Sequence, residues 1–160
     1  MSKDQNILLV DDHPENLIAL EAILEDVDCN LLMANSGQEA LALLLKHDVA
    51  LVLLDVQMPG MDGFEVAELM RKSNRTKMVP IIFVTAISKE AKYVARGYGV
   101  GAIDYMFKPL NPEILQHKAN FFLELDMQKR RLEEKLRKSQ ESKEAFLRAM
   151  GDEGTGGGSA

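Results

Sequence analysis

The chain has 160 residues, of which 46% are hydrophobic and 28% charged, a balance that excludes general disorder and allows one well-buried domain with an extension. Its formal net charge of −6 argues against nucleic acid as a partner of the whole surface. Apolar runs such as residues 50–54 are too short to span a bilayer, and the single cysteine, Cys29, excludes an internal disulfide framework. We therefore expect a cytoplasmic protein that contacts neither membrane nor nucleic acid.

Short apolar runs alternate with helical patterns from the amino terminus onward. Residues 7–10 are continuously apolar and predict a first strand, after which Pro14 suits the first turn of a helix. Residues 31–34 predict a second strand. Ser36 and Glu39 then form a capping box, which predicts the start of a second helix.

The third and fourth strands are predicted at residues 49–54 and 79–84. The third ends at Asp55 and the fourth at Thr85. Between them, turn residues lead into a third helix, which the sequence predicts over residues 64–72. A polar residue thus directly follows each of these two strands.

The fifth predicted strand, residues 103–107, ends at Lys108. Before it, a helix is predicted to begin at Ser88 and to fray among the glycines that follow. After it, Asn111 and Pro112 suit the cap and the first residue of a final helix.

This alternation predicts an α/β fold with a doubly wound five-stranded parallel sheet. Strands that are apolar throughout are buried on both faces, and in a parallel sheet the helices cover those faces. Ligands of such sheets bind at the carboxyl ends of the strands, near the point where the strand order reverses. The polar residues that end the strands are therefore the candidates for a functional site.

The polar side chains that follow these strands are Asp11, Asp12, Asp55, Thr85 and Lys108. Carboxylates crowded at one edge of a sheet repel each other, by roughly 4 kcal/mol for a pair about 4 Å apart at an effective dielectric constant near 20. A divalent cation removes this repulsion, and all-oxygen ligation is what Mg²⁺ prefers. A carboxylate nucleophile beside a metal ion and an ammonium group suits phosphoryl transfer.

The sequence resembles the receiver domain of bacterial response regulators over about residues 6–124. Four motifs carry the resemblance in the family's order: Asp11-Asp12 after ILLV, Asp55 within LVLLDVQMPGMDG, Thr85-Ala86 after IIFV, and YMFKP around Lys108. The resemblance implies a flavodoxin-like sheet in strand order 2-1-3-4-5 and a cis peptide bond at Lys108-Pro109. It also implies a sensor histidine kinase or a phosphotransfer protein as the phosphodonor.

The resemblance assigns the metal site and the phosphoacceptor. Asp55 is the expected phosphoacceptor. Asp12, Asp55 and the backbone carbonyl of Gln57 are the expected direct ligands of Mg²⁺, and Asp11 is expected to act mainly through metal-bound water.

The resemblance also assigns the residues that respond to phosphorylation. Lys108 is expected to pair with a phosphoryl oxygen, and Thr85 to move and donate a hydrogen bond to another. Tyr105 is expected to change rotamer together with Thr85. Threonine commonly ends buried strands, and a half-buried packing tyrosine gives the same pattern, so purely structural roles are the alternatives for these two residues.

Two classes of function fit this set of residues. The first is a signalling switch that is phosphorylated on its own Asp55 and is not a free-standing enzyme. The second is a metal-dependent phosphatase or phosphotransferase that uses an aspartate nucleophile on an external substrate. Such enzymes usually carry a second aspartate two residues after the nucleophile, and Gln57 occupies that position here, so the sequence favours the switch.

No proline or glycine occurs between residues 113 and 150, so the sequence predicts a long C-terminal helix. One heptad frame has apolar residues at its a and d positions, namely Leu115, Phe122, Leu125, Leu132, Leu136, Phe146 and Met150. The polar interruptions of the frame are Lys118, Lys129, Ser139 and Lys143. We expect a homodimer through a coiled coil, with a solvated, fraying helix as the alternative.

The domain organisation follows from these patterns. We expect a receiver domain at residues 1–124, a helical extension at 125–150 and a flexible, glycine-rich tail at 151–160. Residues 142–150 resemble the segment before the phosphorylated histidine of sensor-kinase dimerisation domains, but the expected Ser-His-Glu is replaced by Gly-Asp-Glu. The sequence thus suggests a fragment of a larger hybrid sensor kinase or multi-domain regulator.

Overall fold

A computed structural model of the chain describes residues 4–86, 96, 98–99, 101 and 104–156, without the side chains of residues 152–156. The chain divides into two compact units, Met1–Leu123 and Glu124–Ala160. The first contains the sheet and the helices that cover it. The second is the remainder of the C-terminal helix.

The sheet has five parallel strands in the order β2-β1-β3-β4-β5. Their bounds are Asn6–Val10 for β1, Asn30–Ala34 for β2, Leu51–Leu54 for β3, Ile81–Thr85 for β4 and Asp104–Phe107 for β5. The predicted α/β fold and strand order are therefore confirmed. The order reverses between β1 and β3, so the crevice at the carboxyl ends of these two strands is where a ligand site is expected.

The helices begin where the sequence provides caps. Their bounds are Pro14–Ile23 for α1, Gly37–Lys46 for α2, Gly63–Lys72 for α3 and Pro112–Gly156 for α4. Ser36 accepts a hydrogen bond from the Glu39 N–H, and Asn111 accepts one from the Ile114 N–H. The helix predicted from Ser88 lies largely outside the described residues.

Alternation along the strands builds a core on each face of the sheet. Leu8 and Val10 of β1 pack with the buried residues of α2 and α3, whereas Ile7 and Leu9 pack with those of α1 and the start of α4. Because both faces are covered, β1, β3 and β4 are buried at nearly every position, as their apolar sequences predicted.

The first turns of α4 belong to the core of the first unit. Leu115 is fully buried, Phe122 is 6% exposed, and Ala119 and Leu123 pack beside them. Leu115 and Phe122 were assigned to the coiled-coil seam by the heptad frame, and this assignment is wrong because the sheet already buries both side chains. Lys118, an interruption of the frame, forms an ion pair with Asp104 of β5.

The second unit is a single helical segment that carries several exposed large apolar residues. Leu132 and Leu136 are 67% and 59% exposed, and Phe146 and Met150 are similarly accessible. Helix α4 continues beyond Gly151 to Gly156, into the range where a flexible tail was expected, since glycine disfavours a helix without preventing it. Within the described residues, no helix has the length and apolar composition that a bilayer crossing requires.

Candidate functional site

Three carboxylates meet in the crevice between β1 and β3. Asp11 and Asp12 follow β1, and Asp55 follows β3, its neighbour in the sheet. One oxygen of each carboxylate and one ring nitrogen of His13 lie within 4.8 Å of one another. The sheet therefore gathers the acidic residues that the sequence predicted to meet.

Asp11 is the most buried of the three carboxylates, and it accepts hydrogen bonds from one backbone N–H and one ammonium group. Its Oδ1 accepts a hydrogen bond of 3.0 Å from the His13 N–H, and its Oδ2 accepts one of 3.0 Å from Nζ of Lys108. Burial by itself raises the pKa of Asp11, but these hydrogen bonds and the charge of Lys108 outweigh it and lower the pKa. Asp11 is thus a fixed negative charge beside Asp55.

Asp55 is 6% exposed and has a perturbed ionisation. Burial and, next, the negative charge of Asp11 raise its pKa from 3.8 to about 6, although Lys108 and the Val56 N–H oppose them. The Val56 N–H donates to Oδ1 of Asp55 at 2.9 Å, and the other oxygen, Oδ2, has no hydrogen-bond donor among the described residues. One oxygen is therefore positioned by the backbone, while the second accepts no hydrogen bond from the described residues.

Asp12 shows that the crevice suits a cation. Its Oδ1 is buried and has no hydrogen-bond partner within the described part of the chain, although Nδ1 of His13 lies 3.1 Å away. The negative charge of Asp12 at this distance raises the pKa of His13, and the hydrogen bond with Asp11 raises it further. An orphaned carboxylate oxygen beside two further carboxylates is a set of hard oxygen donors, which fits a divalent ion such as Mg²⁺.

Thr85 and Lys108 lie at the ends of adjacent strands. Thr85 is 1% exposed at the end of β4, and its backbone carbonyl accepts a hydrogen bond of 3.0 Å from the Lys108 N–H. The peptide bond between Lys108 and Pro109 is cis, as the resemblance implied. Thr85 therefore lies beside β5, the strand that directly precedes Lys108 and so positions its ammonium group at Asp11.

Tyr105 lies on β5, within a group of aromatic rings. Its ring is 5.2 Å from that of Phe83 and 5.4 Å from that of Phe107, and Phe83 in turn contacts Phe64 at 5.1 Å. Tyr105 is 9% exposed, and burial raises the pKa of its hydroxyl. The side chain is packed rather than grouped with the carboxylates.

A cleft of about 530 Å³ adjoins the carboxylates. Gln57 is exposed on its wall, and Asp12, His13, Met58 and Arg96 also line it. The cleft leaves the edge of the group of carboxylates open to a molecule in solution. The sequence does not identify Arg96 as a residue of the site, because a lone arginine in a helical pattern gives no sign of what lies beside it.

Gly63 also matters to the site, although the sequence indicates only that it belongs to the turn before α3. A Cβ atom at this position would lie 2.2 Å from the backbone oxygen of Asp55. The Gly63 N–H donates a hydrogen bond of 2.9 Å to the carbonyl of Val56. The start of α3 therefore packs directly against the backbone that carries Asp55, and a side chain cannot be inserted there.

Comparison with known proteins identifies the family. The sequence profile of the response regulator receiver domain matches residues 7–120. The chain belongs to this family. Protein PilH of Pseudomonas aeruginosa is 36% identical to the receiver domain over 117 residues, which are 73% of this chain and 96% of PilH.

Other relatives contain the receiver domain as a small part of a longer protein. A probable cyclic di-GMP phosphodiesterase of Vibrio cholerae is 35% identical over 74% of this chain but only 26% of its own length. The signal transduction histidine-protein kinase BarA of Escherichia coli is 34% identical over 69% of this chain and 12% of its own length. The chain thus spans between about a tenth and nearly all of the length of these relatives.

Solved structures agree with the fold of the receiver domain. A putative response regulator from Chloroflexus aurantiacus superposes with a TM-score of 0.70 at 31% identity, covering 76% of this chain and 98% of that one. The chemotaxis response regulator CheY4 of Vibrio cholerae superposes with a TM-score of 0.68 at 30% identity, covering 74% and 98%. This chain is therefore a CheY-like receiver domain of two-component phosphorelay signalling. That class implies a histidine kinase or phosphotransfer partner.

Proposed function

We propose that Asp55 accepts a phosphoryl group from a phosphohistidine of a sensor kinase or phosphotransfer protein. The observation that carries the proposal is the position of Asp55, at the end of β3 with two further carboxylates and the Lys108–Asp11 pair around it. Its Oδ1 is held by the Val56 N–H, so Oδ2 is oriented for attack. A relative that is a histidine kinase, BarA, supports the assignment of the donor class.

The proposed reaction exchanges one bond to phosphorus for another. Oδ2 of Asp55 attacks the phosphorus atom, the bond from phosphorus to the histidine nitrogen breaks, and its electron pair leaves with the imidazole. Asp55 must be ionised to attack, which its pKa of about 6 allows at neutral pH. Positioning and charge neutralisation supply most of the rate in such transfers.

The proposed metal site consists of Asp12, Asp55 and the backbone carbonyl of Gln57, with Asp11 acting through metal-bound water. Mg²⁺ bound there supplies positive charge against the phosphoryl oxygens and the crowded carboxylates. The buried Oδ1 of Asp12 supports this assignment, because it accepts no hydrogen bond from the described residues, which is costly for a buried oxygen unless a cation contacts it.

We assign the response to Lys108, Thr85 and Tyr105. Lys108 exchanges part of its contact with Asp11 for a phosphoryl oxygen, and the Thr85 hydroxyl donates to another. Since Thr85 pairs with Phe107 of β5 and the Phe107 ring stacks on that of Tyr105, movement of Thr85 shifts the aromatic packing around Tyr105. The domain thus catalyses its own phosphorylation and dephosphorylation in the cytoplasm, and has no external substrate.

The proposed output is the segment of α4 at residues 125–150, paired with a second copy as a coiled coil. Leu125, Leu132 and Leu136 line a shallow apolar groove on this segment, together with Gln128 and Lys129. The leucines of a second copy match this groove because the a and d positions repeat along both helices. Residues 1–124 form the receiver unit in this proposal, and residues 151–160 a tail.

The experiment that tests the function is labelling with acetyl phosphate and Mg²⁺. We expect one phosphoryl group per chain that is acid-stable and base-labile, and no label in Asp55→Asn, which keeps the shape of the side chain but removes the nucleophilic oxygen. Asp26→Asn, an exposed aspartate that does not line the cleft, is the matched control and should label normally. Stoichiometric labelling of Asp55→Asn, or turnover of many equivalents by the unaltered chain at a rapid rate, would contradict the proposal.

A further inference from the structure

Arg96 places a guanidinium group at the cleft beside the carboxylates. Its central carbon lies 4.4 Å from the centroid of the Phe64 ring, in a cation–π contact. The same side chain lines the cleft with Asp12, Gln57 and Met58. Phe64 is 1% exposed and packed against Phe83, so the surface on which the guanidinium rests is rigid.

The charge of the site leaves a role for a second cationic side chain. Asp11, Asp12 and Asp55 bring three negative charges when ionised, and Lys108 is hydrogen-bonded to Asp11. One divalent ion would bring this group of four side chains to neutrality. A phosphodonor then arrives with about two further negative charges, which these groups do not balance.

Stacking on a ring leaves the edge of a guanidinium group available. The N–H donors of arginine lie in the plane of the group and point away from the ring beneath it. No ion-pair partner of Arg96 occurs among residues 4–86 and 104–151, the continuous ranges with described side chains. Such a planar fork binds phosphate oxygens in a bidentate manner.

We propose that Arg96 binds the phosphoryl group of the incoming donor at the cleft and so lowers the donor concentration needed for transfer to Asp55. This inference rests on the proposed phosphorylation of Asp55. The recognised group is the phosphoryl group itself, whether a protein phosphohistidine or a small phosphorylated molecule carries it. Arg96 contacts the donor before and during transfer, whereas Lys108 acts from the side of Asp11.

The test compares donor titrations of the unaltered chain with those of Arg96→Met and Arg96→Lys. Methionine keeps an unbranched side chain over the Phe64 ring without the charge, and lysine restores a charge without the planar fork. Arg131→Met, an exposed arginine of α4, is the control for the change in net charge. Acetyl phosphate and phosphoimidazole serve as donors at saturating Mg²⁺, since they share the phosphoryl group and differ in the leaving group.

For both donors we expect Arg96→Met to raise the half-saturating concentration about tenfold, as loss of a charge-assisted hydrogen bond does, while the maximal rate constant changes less than about twofold. Arg96→Lys should lie between, and Arg131→Met should match the unaltered chain. An unchanged half-saturating concentration, a change confined to the maximal rate, a shift with one donor alone or an equal shift in the control would overturn the inference. Failure of the proposed function differs from these results, because the unaltered chain would then take up no label.

Discussion

The ammonium nitrogen of Lys108 lies 3.0 Å from Oδ2 of Asp11, and the two residues are 97 positions apart in the sequence. The side chain of Asp11 is 2% exposed and that of Lys108 is 23% exposed, so little solvent screens the contact. The contact joins the end of β1 to the end of β5, across the site that also contains Asp55. Removing either partner leaves the other charge without its main compensation.

We expect Lys108→Met to lower the free energy of unfolding by about 1–3 kcal/mol at neutral pH, because it strands the buried Asp11 carboxylate. Urea denaturation without divalent cations measures this change. In the double variant Lys108→Met, Asp11→Asn, most of the loss should be recovered, as expected for two residues that interact directly. Equal stability of Lys108→Met and the unaltered chain would show that the contact contributes nothing.

The ionisation of Asp55 should make stability fall as the pH rises. In the folded state its pKa is about 6, above its ordinary value of 3.8, so between these values the folded state binds more protons than the unfolded state. Stability is then lost as the pH rises from about 4 to about 6 and stays lower above that range. The shift sets an upper bound of about 3 kcal/mol on the cost of ionising Asp55.

Asp55→Asn removes this cost, so without Mg²⁺ it should raise the free energy of unfolding by about 1–3 kcal/mol at pH 7.5 and by much less at pH 4. Urea denaturation at the two pH values gives the comparison. Asp26→Asn, at an exposed position of the same residue type, is the control and should change little at either pH. A gain of equal size at pH 4 and pH 7.5 would rule out ionisation as its cause.

Mg²⁺ should stabilise the receiver unit by binding the folded state alone. Few protein ligands and retained waters give a dissociation constant of about 1 mM, so 10 mM Mg²⁺ should add about 1.4 kcal/mol and raise the melting temperature by a few degrees. We expect Asp12→Ala to abolish the gain, because Asp12 supplies the orphaned oxygen. Thermal unfolding with and without the ion measures both, and an unchanged response in Asp12→Ala would place the ion elsewhere.

Strand ends could be predicted because they depend on local patterns. Apolar runs identified the strands, and parallel topology then required Asp11, Asp55 and Lys108 to share one edge of the sheet. Contacts between a side chain and backbone groups of other segments could not be predicted in this way. Arg71, for example, donates to the carbonyls of Thr76, Lys77, Val79 and Gly101, and no sequence spacing signals that arrangement.

The sequence also could not show which part of the heptad frame of α4 packs on the sheet. A helix that packs on a sheet and a helix in a coiled coil both repeat apolar residues every three or four positions. Leu115 and Phe122 satisfied the repeat, but they pack beneath the sheet with Ala119. Periodicity predicted that these side chains are buried, and only the fold shows what buries them.

Gly63→Ala should destabilise the fold strongly and disturb the site. The added methyl group would lie 2.2 Å from the backbone oxygen of Asp55, which cannot move without shifting the end of β3. We expect a loss of at least about 2 kcal/mol and slower phosphorylation of Asp55. Gly99→Ala, where a Cβ meets no atom of the described residues within 4 Å, is the matched control and should keep its stability. Similar urea midpoints for the two variants would contradict the packing argument.

The last prediction concerns the helical segment beyond the receiver unit. With Leu115 and Phe122 excluded, its seam consists of Leu125, Leu132 and Leu136, then Phe146 and Met150. Lys129 and Lys143 occupy a positions within it and weaken it, so we expect a dimer with a dissociation constant in the micromolar range. Sedimentation equilibrium between about 1 and 50 µM should show the chain passing from monomer to dimer.

Leu132→Ala with Leu136→Ala should give monomers throughout that range, because the two exposed leucines supply the central contact and alanine keeps the helix. The matched control is Arg131→Ala with Lys138→Ala, which makes the same number of alanine substitutions on another face and should still dimerise. Both double variants should accept a phosphoryl group at Asp55, since neither touches the first unit. A chain that is monomeric at 50 µM, or a leucine variant that still dimerises, would show that this seam does not pair two copies.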